Sequence, residues 1–262
     1  MKEAACAAGA FMRGSVEIDH TEKTNAKDFV TVADIKSQDI IRDYLRERYP
    51  DAVILSEEDT EEERARMYAP EFTGFVLDPI DGTYNFKRDM RESAISIGYV
   101  ELGEAMMGVI YDPYKDELFE VEKGKGAYRN GKSIHVSDQA TMEGASVTTS
   151  NSYDDEAMSR NLRRHLGIYE QTGTMPWTSC PGSGVLIMAY VACGRFDIYH
   201  HNGLKPWDNA AAFLLVREAG GVVKTLTGGE APFVSATVLM GNPDLVAKTQ
   251  EAFTRLPHEL LA

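Results

Sequence analysis

Cysteine is scarce in this chain, with Cys6, Cys180 and Cys193 the only three among 262 residues. An odd set without C-x-x-C spacing argues against a disulfide framework and against a cysteine zinc site, so reduced thiols are expected. Basic residues are also few. Lys and Arg number 27 against 41 Asp and Glu, a formal charge of −14, which opposes non-specific attraction to nucleic acid or anionic membrane. No run approaches the roughly 20 apolar residues that cross a bilayer, and the N-terminus lacks a signal-like apolar core. The expectation is a soluble, cytoplasmic protein with no nucleic-acid and no membrane partner. An anionic substrate then needs cations as mediators, although a surface charged for solubility gives the same balance. Ser- or Pro-rich linkers, internal repeats and low-complexity tracts are absent as well.

The length allows one large or two modest domains and a substantial core. Ala4, Ala5, Ala8, Phe11 and Met12 are spaced as one face of a short helix over residues 2 to 13. Residues 14 to 33 read as a loop, followed by a helix from about Ile35 to Tyr49, where Ile40, Ile41, Tyr44 and Leu45 recur before Pro50. Val53-Ile54-Leu55 reads as a short strand ending in acids. The Glu61-Glu62-Glu63 run with Arg64 and Arg66 reads as solvated surface without chemistry.

From Ala94 to about Val136 the apolar and polar residues alternate between turn signals, among them Asn130-Gly131, and an antiparallel sheet is expected. Gly124-Lys125-Gly126 lacks the phosphate-loop frame and fits a hairpin better. Beyond Thr141 strands alternate with helices. Helices are expected near 155–166, 183–193, 207–219 and 243–254, and strands near 145–149, 196–199, 221–225 and 236–240. The change of pattern suggests an N-terminal α+β half over 1–140 and a C-terminal α/β half over 141–262.

The segment Asp78-Pro79-Ile80-Asp81-Gly82-Thr83-Tyr84-Asn85-Phe86 follows the apolar run Phe75-Val76-Leu77. Pro79 donates no ladder bond, so the strand is expected to stop there and open into a turn. Acids at such an end can share a cation. Gly82 permits close backbone approach, so its amide and that of Thr83 are available to a phosphate. Asp and Gly are equally at home in plain turns.

These nine residues resemble the central signature of the inositol monophosphatase family, D-P-[ILV]-D-G-T-x-N-[FY], and match it completely. Thr31-Val32-Ala33-Asp34 resembles the family's T-x-x-D loop, with Lys23 upstream, and Leu55-Ser56-Glu57-Glu58 its acidic pair. Trp207-Asp208-Asn209-Ala210-Ala211 with Glu218-Ala219-Gly220-Gly221 resembles its C-terminal signature. The resemblance therefore covers most of the chain. It implies an α+β fold, a layered α/β/α/β/α sandwich of the inositol monophosphatase and fructose-1,6-bisphosphatase type, found as a homodimer. It also implies a Mg²⁺-dependent phosphomonoesterase acting on a small phosphorylated metabolite by direct attack of water.

The resemblance implies two or three Mg²⁺ ions held by Glu57, Asp78, the Ile80 carbonyl, Asp81 and Asp208, a hard oxygen set suited to that cation. Glu57 is preferred to Glu58 because neighbours on a strand point to opposite faces. Asp208 and the pair Thr31 and Asp34 also read as helix-capping groups. By resemblance Asp34 accepts from the Thr83 hydroxyl, Thr83 orients the attacking water, and Lys23 neutralises phosphate charge. Gly82 and Thr83 contribute phosphate contacts. Gly182-Ser183-Gly184 serves either as a plain helix start or as amides offered to substrate. His201 stands where inositol-preferring members carry a glutamate, so inositol phosphate is not the assured substrate. Sugar phosphates, histidinol phosphate, fructose 1,6-bisphosphate and 3'-phosphoadenosine 5'-phosphate fall within the same range. A haloacid-dehalogenase-type aspartyl phosphatase fits poorly because the two acids are three apart with Pro79 between them. A binding or regulatory protein that keeps the fold without turnover is the alternative of a different class.

Overall fold

The computed structural model describes residues 1–15, 20–25 and 28–261. Helix Gly184–Ala192 is buried at every position, and helix Pro206–Glu218 is buried over most of its length. A helix apolar all round must be covered on all sides, and here each lies between two sheets. On one side is a seven-stranded sheet in chain order, Ile54–Ser56, Gly74–Asp81, Ala94–Glu101, Glu104–Asp112, Glu117–Glu122, Ala127–Arg129 and Lys132–Ser133. Its first pair is parallel and the rest are antiparallel. On the other side a five-stranded mixed sheet runs Trp177–Ser179, Ser146–Thr148, Ile198–Asn202, Thr237–Gly241, Val222–Lys224.

Helices Lys2–Gly14 and Val32–Arg48 cover the outer face of the larger sheet, and helices Asp155–Thr172 and Pro243–Phe253 cover that of the smaller. The result is the α+β, α/β/α/β/α layering that the family resemblance implies. Residues of both sheets and both central helices share one apolar core that includes Phe119, Val185, Tyr199 and Phe213.

Close approach of the larger sheet to helix Pro206–Glu218 depends on two paired glycines. Gly98 and Gly108 face each other across neighbouring strands, and a Cβ on them would stand 2.6 Å from Ala210 Cβ and 2.7 Å from Ala211 Cα. Neither distance accommodates a methyl group, so this helix, which carries Asp208, lies directly against the glycines.

Several expectations hold and others need correction. Asn130 and Gly131 both take positive φ, 49° and 74°, as a two-residue hairpin turn requires. The amides of Gly124 and Gly126 are taken by the Glu218 carboxylate at 2.8 and 2.9 Å, which accounts for that glycine pair structurally. Within the expected loop at 14–33, strands His20–Asn25 and Asp28–Thr31 pair antiparallel; residues 16–19 and 26–27 of it lie outside the described residues. Few apolar residues alternate in that sequence, so the pattern gives no strand signal. Helix Val32–Arg48 starts earlier than Ile35 because the Thr31 hydroxyl accepts from the amides of Ala33 and Asp34. The strand through Pro79 does not stop there. It continues to Asp81 through an irregular register between Asp78 and Asp81, which accommodates the missing N–H.

Candidate active site

Three carboxylates meet at the rim where the layers join. Asp78 and Asp81 come from the end of strand Gly74–Asp81, and Asp208 comes from the first turn of helix Pro206–Glu218. One oxygen from each lies within 4.8 Å of the others. Each acid has one oxygen engaged by a backbone amide: Asp78 Oδ1 by Ile80 at 3.1 Å, Asp81 Oδ2 by Val185 at 2.9 Å, and Asp208 Oδ2 by Lys205 at 2.7 Å. These bonds fix the side chains and leave a second oxygen on each.

The electrostatics of this triad are adverse without a counter-charge. Burial, then Glu57, Asp81 and Asp208, pushes the Asp78 carboxyl well above the usual range. Burial and Asp81 do the same to Asp208. Asp81 is raised to about 6 by burial, offset in part by hydrogen bonds from Ser183 and Val185. Like charges gathered out of water oppose ionisation unless a cation joins them.

Gly82 holds the turn after the strand at φ 83°, a conformation that favours glycine. It heads the short helix Thr83–Lys87, whose first amides have no intrahelical acceptor. Thr83 Oγ1 lies 3.1 Å from Asp34 Oδ1 and 3.0 Å from the Ile80 carbonyl. Asp34 Oδ2 accepts from the Thr31 amide at 2.8 Å and hydroxyl at 2.5 Å. Burial raises Asp34 to about 6, against the lowering effect of those Thr31 bonds. The Ile80 carbonyl and Asp34 Oδ1 are thus two acceptors within reach of the single Thr83 proton.

Glu57 and Glu58 lie in the turn after strand Ile54–Ser56, so the alternation of strand side chains does not separate them. Both carboxylates reach Lys23 Nζ at 2.9 Å, a correction to the expectation that they diverge. Burial and Glu57 raise Glu58 to about 8, while Lys23 pulls it down. Burial disfavours the Lys23 ammonium, but attraction to Glu57 and Glu58 outweighs it and holds the charge. Glu57 stands outside the close triad, beside the lysine.

Ser183 and Gly184 do not offer free donors to a substrate. The Ser183 hydroxyl and the amides of Gly184 and Val185 bond the Asp81 carboxylate. At Gly182 a Cβ would meet Asn85 Nδ2 at 2.5 Å, so the turn packs tightly there. His201 sits in the buried strand Ile198–Asn202 with its ring stacked on Tyr199 at 5.9 Å. His200 points to the other face and bonds His165 at 2.8 Å, so the two do not form a metal pair.

The site opens into a cleft of ≈ 1510 Å³ lined by Lys23, Asp78, Thr83, His201, Lys205 and Trp207, among others. Arg64 also lines it, against the reading of that run as plain surface. Its guanidinium donates to the Glu57 carbonyl at 2.8 Å and lies 5.5 Å over the Trp207 ring. Nothing in the local sequence distinguishes Arg64 from its solvated neighbours.

This is a layered α+β sandwich with three acids converging at its rim. The inositol monophosphatase family model matches residues 1–260, and the chain belongs to that family. It is 35% identical over 222 residues to the Nus factor SuhB of Escherichia coli, covering 84% of this chain and 80% of that protein. It is 36% identical over 232 residues to the fructose-1,6-bisphosphatase/inositol-1-monophosphatase of Thermotoga maritima, covering 86% and 82%. Among solved structures it is similar to the suhB suppressor protein of Bartonella henselae, with TM-score 0.86, 31% identity and 97% of each chain covered.

Proposed function

We propose that this chain is a Mg²⁺-dependent phosphomonoesterase that hydrolyses a small phosphorylated metabolite by direct attack of water. The observation that carries the reading is the convergence of Asp78, Asp81 and Asp208 within 4.8 Å. The residues fit the ion: three carboxylates, each steadied by an amide and each keeping an oxygen in reserve, are the hard donors Mg²⁺ prefers. By family resemblance Glu57 and the Ile80 carbonyl complete the set, for two or three ions. When bound, Mg²⁺ supplies Lewis acidity, eases ionisation of water and neutralises phosphoryl charge.

The chain's own groups do the rest. Asp34 accepts two bonds from Thr31 on Oδ2, and when ionised its Oδ1, an acceptor only, takes the Thr83 proton in place of the Ile80 carbonyl. Donation in that direction leaves Thr83 Oγ1 with lone pairs to accept a hydrogen from the attacking water. Thr83 therefore orients the nucleophile, and by family resemblance the amides of Gly82 and Thr83, which line the cleft, would bind the phosphate. Lys23, paired with Glu57 and Glu58, stands at the mouth as a further cation. Arg64 holds the Glu57 backbone against Trp207, next to Asp208.

Assays on a panel of sugar, inositol, histidinol and nucleotide phosphates with and without Mg²⁺ test the reading; no release of phosphate from any ester counts against it. A non-catalytic, regulatory role is the second reading, favoured by the similarity to a protein named as a Nus factor. The retained acid triad and the Thr83 to Asp34 bond support catalysis instead, since a scaffold has no need of mutually repelling buried acids. The resemblance also supports a cytoplasmic homodimer, which sedimentation of the purified protein tests.

A further inference from the structure

We infer that Asn161 fixes His201 as an Nε2–H donor pointing into the cleft, which selects phosphate esters whose organic part presents a hydrogen-bond acceptor there. The inference rests on the proposed phosphatase reading for its substrate, but not for its chemistry. It starts from Arg164, fully buried on helix Asp155–Thr172 with no carboxylate partner among the described residues. Arg164 donates to the Leu260 carbonyl and to Asn161 Oδ1. The Asn202 amide donates to the same Asn161 oxygen at 3.1 Å.

Arginine and a backbone amide can only donate, so the oxygen of the Asn161 amide must face them. Its NH₂ group then faces His201 Nδ1, at 3.1 Å. An NH₂ group only donates, so Nδ1 must carry a lone pair and not a proton. The hydroxyls of Thr149 and Ser150 stand at 3.1 and 3.2 Å from the same nitrogen and can adapt to it. A neutral imidazole with Nδ1 bare carries its proton on Nε2.

That second nitrogen has no partner among the described residues. A Cβ placed on Gly203 would stand 3.8 Å from it, and Gly203 and His201 both line the cleft. The donor therefore faces the space a substrate occupies. A carbonyl, carboxylate or second phosphoryl oxygen satisfies it, whereas an apolar group leaves it unpaired. A site built to hydrogen-bond one group discriminates strongly against analogues lacking it. Asn161 acts as a positioning residue and His201 as a specificity residue.

The test combines a spectroscopic and a kinetic reading. ¹⁵N-histidine NMR of the Mg²⁺-loaded protein at neutral pH should show His201 as the Nε2–H tautomer. Asn161→Asp, which puts an acceptor beside Nδ1, should convert it to Nδ1–H. For a hexose bisphosphate against the deoxy monophosphate, which carries no oxygen at the distal position, kcat/KM should favour the bisphosphate about tenfold or more in the parent enzyme. Asn161→Asp and His201→Glu should remove that preference. An Nδ1–H or doubly protonated ring in the parent protein overturns the inference, as does a preference unchanged by the tautomer switch. Absence of turnover on every ester defeats the phosphatase reading alone; the tautomer result does not depend on turnover and then decides this inference.

Discussion

Thr83 Oγ1 and Asp34 Oδ1 stand 3.1 Å apart, joining residues separated by 49 positions. Asp34 accepts from Thr31 through its other oxygen, and above about pH 6, where it is ionised, Oδ1 can only accept from Thr83. Thr83→Val removes both the donor and the water-orienting lone pairs. The expected outcome is a fall in kcat of about 100-fold or more with KM changed little. Thr83→Ser, which keeps the hydroxyl, should retain activity within about tenfold. Steady-state kinetics on the best ester found decides the matter, and equal losses in both variants would contradict the role given to the hydroxyl.

Asp81→Asn keeps the shape of the triad while removing one charge. Hydrolysis should drop by at least about 100-fold, since several kcal/mol of charge stabilisation go with a metal ligand. The fold should persist, because an amide oxygen still accepts from Val185. In thermal melts, the parent protein should gain stability on adding Mg²⁺, by about 2.7 kcal/mol at a hundredfold excess over Kd. The variant should gain much less at the same concentration. A melt that ignores Mg²⁺ in both proteins argues against the assigned ligands.

Burial, aided by Arg164, lowers His201 to about 3 from an ordinary 6.5. The unfolded chain binds the proton first, so stability is complete above about 6.5 and is lost as pH falls towards about 3. At pH 5 this group alone should cost about 2 kcal/mol relative to neutral pH. Asp34 and Asp81, raised to about 6, act oppositely: their contribution is present below the ordinary carboxyl range and fades as pH rises through about 6. A comparison of the parent with His201→Gln by denaturant unfolding isolates the histidine. The gap between the two should narrow or reverse as pH falls from 6.5 to 4, and a constant gap refutes the assignment.

Gly108→Ala places a methyl group against Ala211 of the helix that carries Asp208. Overpacking of this kind costs about 1–3 kcal/mol, read as a lower denaturation midpoint. Displacement of the helix should also weaken Mg²⁺ binding, measured by calorimetry. Gly131→Ala, at a turn with open space around it, should leave Mg²⁺ binding unchanged although its φ of 74° strains the turn.

Much of the fold was legible because its elements carry strong local signals. The helices at Gly184–Ala192, Pro206–Glu218 and Pro243–Phe253 match the expected spans within one or two residues, as long apolar or capped segments should. The hairpin at His20–Asn25 was hidden because its residues show no apolar alternation. The short edge strand Trp177–Ser179 was missed for a similar reason, with its three residues largely outside the core. At the site, Asp78 and Asp81 were legible from the Asp78 to Phe86 segment and Asp208 from the Trp207-Asp208 signature, but their partners were not. Arg64 over Trp207, Asn161 beside His201 and the bond from Ser183 to Asp81 depend on contacts across long stretches of chain. Single polar residues give no hint of which distant atom they meet.

Asp208 rides on a helix of the middle layer, whereas Asp78 and Asp81 end a strand of the larger sheet. A shared ion there would act as a rivet between strata of the sandwich, and its grip would sense how tightly they are pressed together. Slackening the shared interior beneath the rim, as with Phe213→Leu on the same helix as Asp208, should loosen the ion before the molecule melts. Affinity for Mg²⁺ thereby becomes a gauge of interior tightness, readable without touching a single carboxylate.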